Sequence, residues 1–210
     1  QLSMEIFDTK TSEVIYNKRW QTNWKDLVII KGDLSDNILE KMNVEILGDS
    51  EELTDVNPEA YELYLKGKYL YKNRESFNDV EVARDLFRRA IAVDENFLDP
   101  HNFLGITYVN YGEQEKAKDI LLPTLKKAEE SNDQVNIVTA VNLIGILYSQ
   151  QNSLDTALIY YERNLGICNK IGNWKGEAAA YNNIGSIYLR KGNLEKGLEY
   201  LLKNLSINEE

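Results

Sequence analysis

The sequence predicts a mainly α fold: a solenoid of about four helix-turn-helix repeats, preceded by a β-hairpin and one further helix. Three observations lead there. First, Gly105, Gly145 and Gly185 stand 40 residues apart, each with an asparagine three residues before it (Asn102, Asn142, Asn182) and a tyrosine three after (Tyr108, Tyr148, Tyr188). Recurrence at a fixed period of this length is the mark of stacked structural repeats. Second, a small residue follows each glycine by 12 positions (Ala117, Ala157, Gly197), and a large apolar one comes four later (Leu121, Tyr161, Leu201). Third, the apolar positions Ile120, Leu121, Leu125 and Ala128, and again Leu158, Tyr161 and Leu165, recur with the period of a helix rather than a strand.

The elements follow in order. Leu2, Met4 and Ile6 alternate with polar neighbours, Val14, Tyr16 and Trp20 fall on one alternating set, and a polar stretch lies between them, so a hairpin is expected. From about Trp24 the spacing of Leu27, Ile30, Leu34, Ile38 and Met42 predicts an amphipathic helix. A hairpin and one helix cannot make an independent core, so residues 1–48 read as the last part of an α/β domain. Asp49, Glu51, Glu52 and Asp55 mark residues 49–57 as a linker. The repeat array then occupies residues 58–207, as repeats over about 58–95, 98–132, 137–172 and 177–207.

Within each repeat the glycine and tyrosine share one face of the first helix, so the glycine admits the second helix closely while the tyrosine fills the space beside it. The small residue of the second helix sits at that close approach, and the bulky residue one turn on completes it. Turn signals separate the two helices at residues 111–113, 151–153 and 191–193. The first repeat is degenerate. Gly67, Ala83, Phe87 and Ala90 take the key positions, but Ala83 follows the glycine by 16 residues, and the four extra residues are expected in the loop 73–79. Pro123 falls inside a predicted helix, where it removes one hydrogen bond and should bend the axis.

Composition narrows the function. With 24 Lys and Arg against 34 Asp and Glu, the formal charge is −10, which disfavours binding nucleic acid or anionic membranes through bulk electrostatics. One cysteine, Cys168, excludes an intrachain disulfide, and one histidine, His101, excludes a multi-histidine metal site. No apolar run approaches the roughly 20 residues of a membrane-spanning helix. Phosphate-binding glycine loops, zinc-protease signatures and nucleophile elbows are missing from the sequence, so neither an enzyme activity, a cofactor nor a metal is expected of this stretch. The expectation is a cytoplasmic piece of a longer protein.

The pattern of Gly, Tyr, small residue and large apolar residue resembles the tetratricopeptide repeat in a 40-residue variant. That resemblance implies a right-handed superhelix whose first helices line a concave, partner-binding face. On it would lie Tyr64, Lys68 and Tyr71; Asn102, Ile106 and Val109; Asn142, Ile146 and Ser149; and Asn182, Ser186 and Leu189, with Asn183, Asn110, Gln150 and Arg190 one step round. Paired amide donors and acceptors suit the backbone of an extended peptide. The family's dicarboxylate clamp needs Lys and Asn at positions that here read Tyr64, Lys68, Phe103, Thr139 and Leu143, so an anionic peptide terminus lacks charge-assisted partners. Residues 8–27, with the junction at 57–67, resemble the end of a TolB-like domain followed by repeats. This implies a bacterial multidomain signalling parent such as a class III adenylate/guanylate cyclase. Forty-residue repeats with groove asparagines also resemble peptide-responsive quorum regulators, an alternative reading.

The remaining candidates are structural. His101 occupies a core-type position, Cys168 reads as a small apolar filler, Trp174 is expected to pack between repeats, and the acidic loop around Asp94 and Asp99 reads as solvated. Leu198, Leu201, Leu202 and Leu205 leave the last helix without a polar outer face, so self-association through that helix or the hairpin edge is expected.

Overall fold

The computed structural model describes residues 2–7, 14–20 and 56–209 of the 210-residue chain. The strands β1 (Leu2–Phe7) and β2 (Val14–Trp20) pair antiparallel, with Leu2 opposite Trp20, Ile6 opposite Tyr16 and a register shift between Ile6 and Phe7. The helix expected from Trp24 and the acidic linker residues Asp49 to Asp55 lie outside the described residues.

Eight helices are described: α1 (Pro58–Lys72), α2 (Phe77–Val93), α3 (Leu98–Asn110), α4 (Gln114–Glu130), α5 (Gln134–Gln150), α6 (Leu154–Ile171), α7 (Trp174–Arg190) and α8 (Leu194–Glu209). None is long and apolar enough to cross a membrane. The chain forms two compact units, Gln1–Phe97 and Leu98–Glu210. The first holds the α1–α2 pair; in the second, α3–α4, α5–α6 and α7–α8 are pairs, with each pair packed on the next.

Each pair closes at its glycine. A Cβ on Gly105 would stand 2.4 Å from Leu121 Cδ2, one on Gly145 2.6 Å from Tyr161 Cε1, and one on Gly185 3.0 Å from Leu201 Cγ. In the first unit, a Cβ on Gly67 would stand 2.7 Å from Phe87 Cε1. The large apolar residue of the second helix thus fills the notch left by the missing side chain of the first. Phe87 and Leu121 are fully buried and Tyr161 nearly so, and Ala83, Ala117 and Ala157 beside them are enclosed as well. Tyr108 is buried, while Tyr148 and Tyr188 are half-buried and stack on Tyr160 and Tyr200 at 5.5 and 5.6 Å.

The turns within pairs share one geometry. The middle residue takes a positive φ, 73° at Gly112, 59° at Asn152 and 78° at Gly192, a conformation that glycine and asparagine tolerate best. The amides of Glu113, Ser153 and Asn193 then donate back to the carbonyls of Tyr108, Tyr148 and Tyr188, each at 2.9 Å.

Two expectations need correction. The extra residues of the first repeat are not a loop insertion: its loop, residues 73–76, is one residue longer than residues 111–113, and the other three residues start α2 early. The cause is a capping box, in which Asp79 N–H donates to the Ser76 hydroxyl and Asp79 carboxylate accepts from the Ser76 amide. These bonds, with one from the Glu75 amide first among them, hold the Asp79 carboxyl below its ordinary range. Trp174 does not pack between repeats. It stands at the start of α7 with 53% of its surface exposed and Lys175 over its ring. Pro123 lies on the exposed side of α4, which runs through it unbroken.

Candidate functional site: the first-helix face of the second unit

The three first helices of the second unit carry little charge. Tyrosines apart, α5 has no ionisable side chain, α3 has only Asp99 and His101, and α7 has Lys175, Glu177 and Arg190. The second helices carry most of the charge, as the Lys and Glu residues of α4 illustrate. The first-helix face is therefore one of amides, hydroxyls and branched aliphatic groups.

The polar residues of this face meet across neighbouring repeats. Asn183 Nδ2 donates to Asn142 Oδ1 at 3.0 Å, and Gln150 Nε2 donates to the Val109 carbonyl at 3.2 Å. Arg190 reaches back to the end of α5, where it donates to Ser149 Oγ at 2.6 Å, to the Ser149 carbonyl at 3.1 Å and to Asn152 Oδ1 at 3.1 Å. A fork of this kind fixes the guanidinium in one orientation. Asn182 and Ser186 are exposed, and Ile146, Asn142, Ser149 and Asn183 are half-exposed. The accessible part of the face thus runs over α5 and α7.

The predicted groove residues divide on this evidence. Asn142, Ser149, Asn182, Asn183, Ser186 and Arg190 come together on α5 and α7. Asn102 does not belong with them: it is 1% exposed, and its Nδ2 donates to Asn136 Oδ1 at 2.7 Å. The next first helix covers it, because Asn136 lies 34 positions on, in the first turn of α5. The Asn102 side-chain oxygen Oδ1 is buried with no hydrogen-bond partner. In the first unit Tyr64 and Tyr71 are 4 and 7% exposed, so they are core and not binding surface. Tyr64 meets Phe97 edge-on at 5.2 Å and accepts a hydrogen bond from Lys68 Nζ at 3.2 Å, which leaves Lys68 as the exposed member of that set. The partners Asn136 and Asn152 were invisible to a reading based on one position per repeat. The 41-residue separation of Asn142 from Asn183 and of Ser149 from Arg190 was the available signal.

Two titratable groups bear on the site. Burial pushes the Tyr161 phenol up to about 12, against the pull of the Ser149 hydroxyl and of Arg190. The neutral phenol is the form the fold stabilises, so its contribution is complete below pH 10 and disappears as pH rises through about 12. Burial also pushes the Cys168 thiol up. Cys168 is fully buried, packs under Gly176 and sits 3.5 Å from Asn164 Oδ1, while Asn164 Nδ2 donates to the Val138 carbonyl at 2.7 Å. A buried thiol with a raised pKa is inert. Reaction of the native chain with an aromatic disulfide reagent at pH 8 is expected to be at least 100-fold slower than in denaturant; a rate equal to that of free cysteine would contradict the packing. Among the described residues no three His, Cys, Asp or Glu side chains come together as a metal site would need.

The fold is that of a tetratricopeptide-repeat protein. Residues 178–210 match the family described as Tetratricopeptide repeat. Among solved structures, MamA is 21% identical with a TM-score of 0.57, over 90% of this chain and 97% of that one. A signal transduction ATPase with numerous domains from Pyrococcus horikoshii, described as having a tetratricopeptide repeat sensor, is 22% identical with a TM-score of 0.66, over 88% of this chain and 28% of that one. Aspartyl phosphate phosphatase F from Bacillus subtilis is 15% identical with a TM-score of 0.65, over 89% of this chain and 50% of that one. At such identities the likeness is one of fold alone. A sequence search of curated proteins finds no match.

Proposed function

We propose that the repeat region is a protein-interaction module that holds an extended, largely uncharged partner segment on the α5–α7 face. The observation that carries this is the union of Asn142, Ser149, Asn182, Asn183, Ser186 and Arg190 on two adjacent helices otherwise almost free of charge. Amide and hydroxyl groups there can pair with a peptide backbone, and Ile146 offers apolar contact.

The parent is read as a bacterial signalling protein of the cyclase kind, a reading that rests on the resemblance of the N-terminal residues to a TolB-like domain. A second reading, a peptide sensor, is favoured by the near absence of charge on α5. Peptides selected against the chain from a random library test both. Ser186→Trp and Asn182→Ala, both at exposed positions, are expected to weaken the selected peptides at least tenfold with an unchanged thermal midpoint. Selected peptides that bind the variants as well as the parent chain would place the site elsewhere. Weak dependence on salt from 50 to 500 mM is expected as well, since few charges take part.

A further inference from the structure

One cation on the α5–α7 face is fixed in place without being neutralised. Arg84, Arg89 and Arg163 each pair with a carboxylate, of Glu81, Asp85 and Glu129 respectively. Arg190 is held by neutral oxygens alone, those of the Ser149 hydroxyl, the Ser149 carbonyl and the Asn152 side chain. Asp155, in the first turn of α6, pairs with Lys191 instead. The bonds of Arg190 engage its two terminal nitrogens and leave its Nε–H without an acceptor among the described residues. One turn earlier on the same side of α7, the exposed Ser186 hydroxyl is likewise unengaged among the described residues. The openness of this pair is a property of the repeat. Gln150 and Ile146, 40 positions earlier, stay exposed and half-exposed although α7 packs against the α5–α6 pair.

We propose that Arg190 and Ser186 form a carboxylate subsite that selects an aspartate or glutamate side chain in the partner segment. The proposal rests on the reading of α5 and α7 as the partner-binding face, and it gives that segment one obligatory charge. A guanidinium N–H and a hydroxyl O–H offer two donors to the two oxygens of a carboxylate. Because its own contacts are all to neutral atoms, Arg190 presents its whole positive charge to such a group. The fork on Ser149 and Asn152 orients the guanidinium beforehand, so little rotamer freedom is lost on binding. The carboxylate is assigned to a side chain and not to a chain end, because the face stays open past Arg190. Lys191, Gly192 and Asn193 are exposed, and nothing stands within 4 Å of a Cβ placed on Gly192, so an extended segment runs on beyond the subsite. A single ion pair of this kind keeps the overall salt dependence small.

Two mixtures of short peptides, N-acetylated and C-amidated, probe the subsite: uncharged residues flank a central Glu in one and a central Gln in the other. Retention on the immobilised 210-residue chain is read by mass spectrometry, and single retained peptides are then titrated by fluorescence anisotropy. The Glu mixture is expected to be enriched at least about tenfold over the Gln mixture, as one charge-assisted hydrogen bond implies. Arg190→Gln in the protein should weaken each Glu peptide by a similar factor and its Gln counterpart far less. Gln150 already holds the equivalent position and donates to the Val109 carbonyl, so this variant is expected to fold. Arg190→Glu should restore binding to peptides in which Lys replaces the central Glu. Equal retention of the two mixtures, or of neither, would overturn the proposal. If Asn182→Ala weakens the Glu peptides while Arg190→Gln does not, the face binds and the subsite is wrong; if neither does, the reading of the face fails too. A free C-terminal carboxylate that fully replaces the central Glu would also overturn it, since the subsite would then read a chain end.

Discussion

Phe87→Ala is expected to destabilise the first helix pair by about 4 kcal/mol, the middle of the range for deleting a buried aromatic ring. Phe87 has no exposed surface, lies against Gly67 and stands 6.4 Å from the Tyr64 ring. Truncation opens a cavity that neither α1 nor α2 can close, because Ala83 and Ala90 beside it are also fully enclosed. Phe87→Leu should cost only about 1 kcal/mol, since volume is nearly kept and leucine already fills the corresponding place at Leu121 and Leu201. Urea unfolding followed by circular dichroism measures both. Equal losses for the two variants would mean that the ring does not fill the notch.

Gly145→Val is the second large effect, about 3 kcal/mol at the upper end of the usual cost of overpacking. The first added carbon would stand 2.6 Å from Tyr161 Cε1 and 2.8 Å from Cδ1. Tyr161 is 3% exposed and cannot swing away, so helices α5 and α6 must separate. A valine is also a better helix former than glycine by a few tenths of a kcal/mol, which offsets little of this. For a chain of this size the loss corresponds to a fall of about 6–12 °C in thermal midpoint. Gly166, with open space around it, is the control position. Gly166→Ala should raise stability by up to about 1 kcal/mol, because there only the helix propensity changes.

The repeat architecture was legible because each of its contacts joins residues at a fixed separation in one helix pair. Gly105 and Leu121, or Gly145 and Tyr161, are brought together by a turn of constant length, so a sequence comparison at 40-residue spacing finds them. The left-handed turn residues Gly112, Asn152 and Gly192 were visible for the same reason. The binding face was less legible. Whether Asn102 looks outward depends on how α5 is placed against α3, and no residue of α3 encodes that placement. The outcome, an asparagine enclosed against Asn136, follows from packing between repeats. Tyr64 and Tyr71 failed as groove residues through a local cause: Phe87 and Phe97 make the first pair more aromatic than the others, and Tyr64 joins that cluster. The early start of α2 was hidden because a Ser76–Asp79 capping box reads equally well as loop. Trp174 stands at the first position of its helix and keeps more than half of its surface exposed.

A double-mutant cycle between Gly145 and Tyr161 tests the repeat geometry most directly. If the ring of Tyr161 occupies the notch at Gly145, then Gly145→Val should cost about 3 kcal/mol in the parent chain and less than about 1 kcal/mol beside Tyr161→Ala, a coupling of about 2 kcal/mol. Two losses that simply add would mean the residues do not touch, and the stacked helix pairs described here would be wrong.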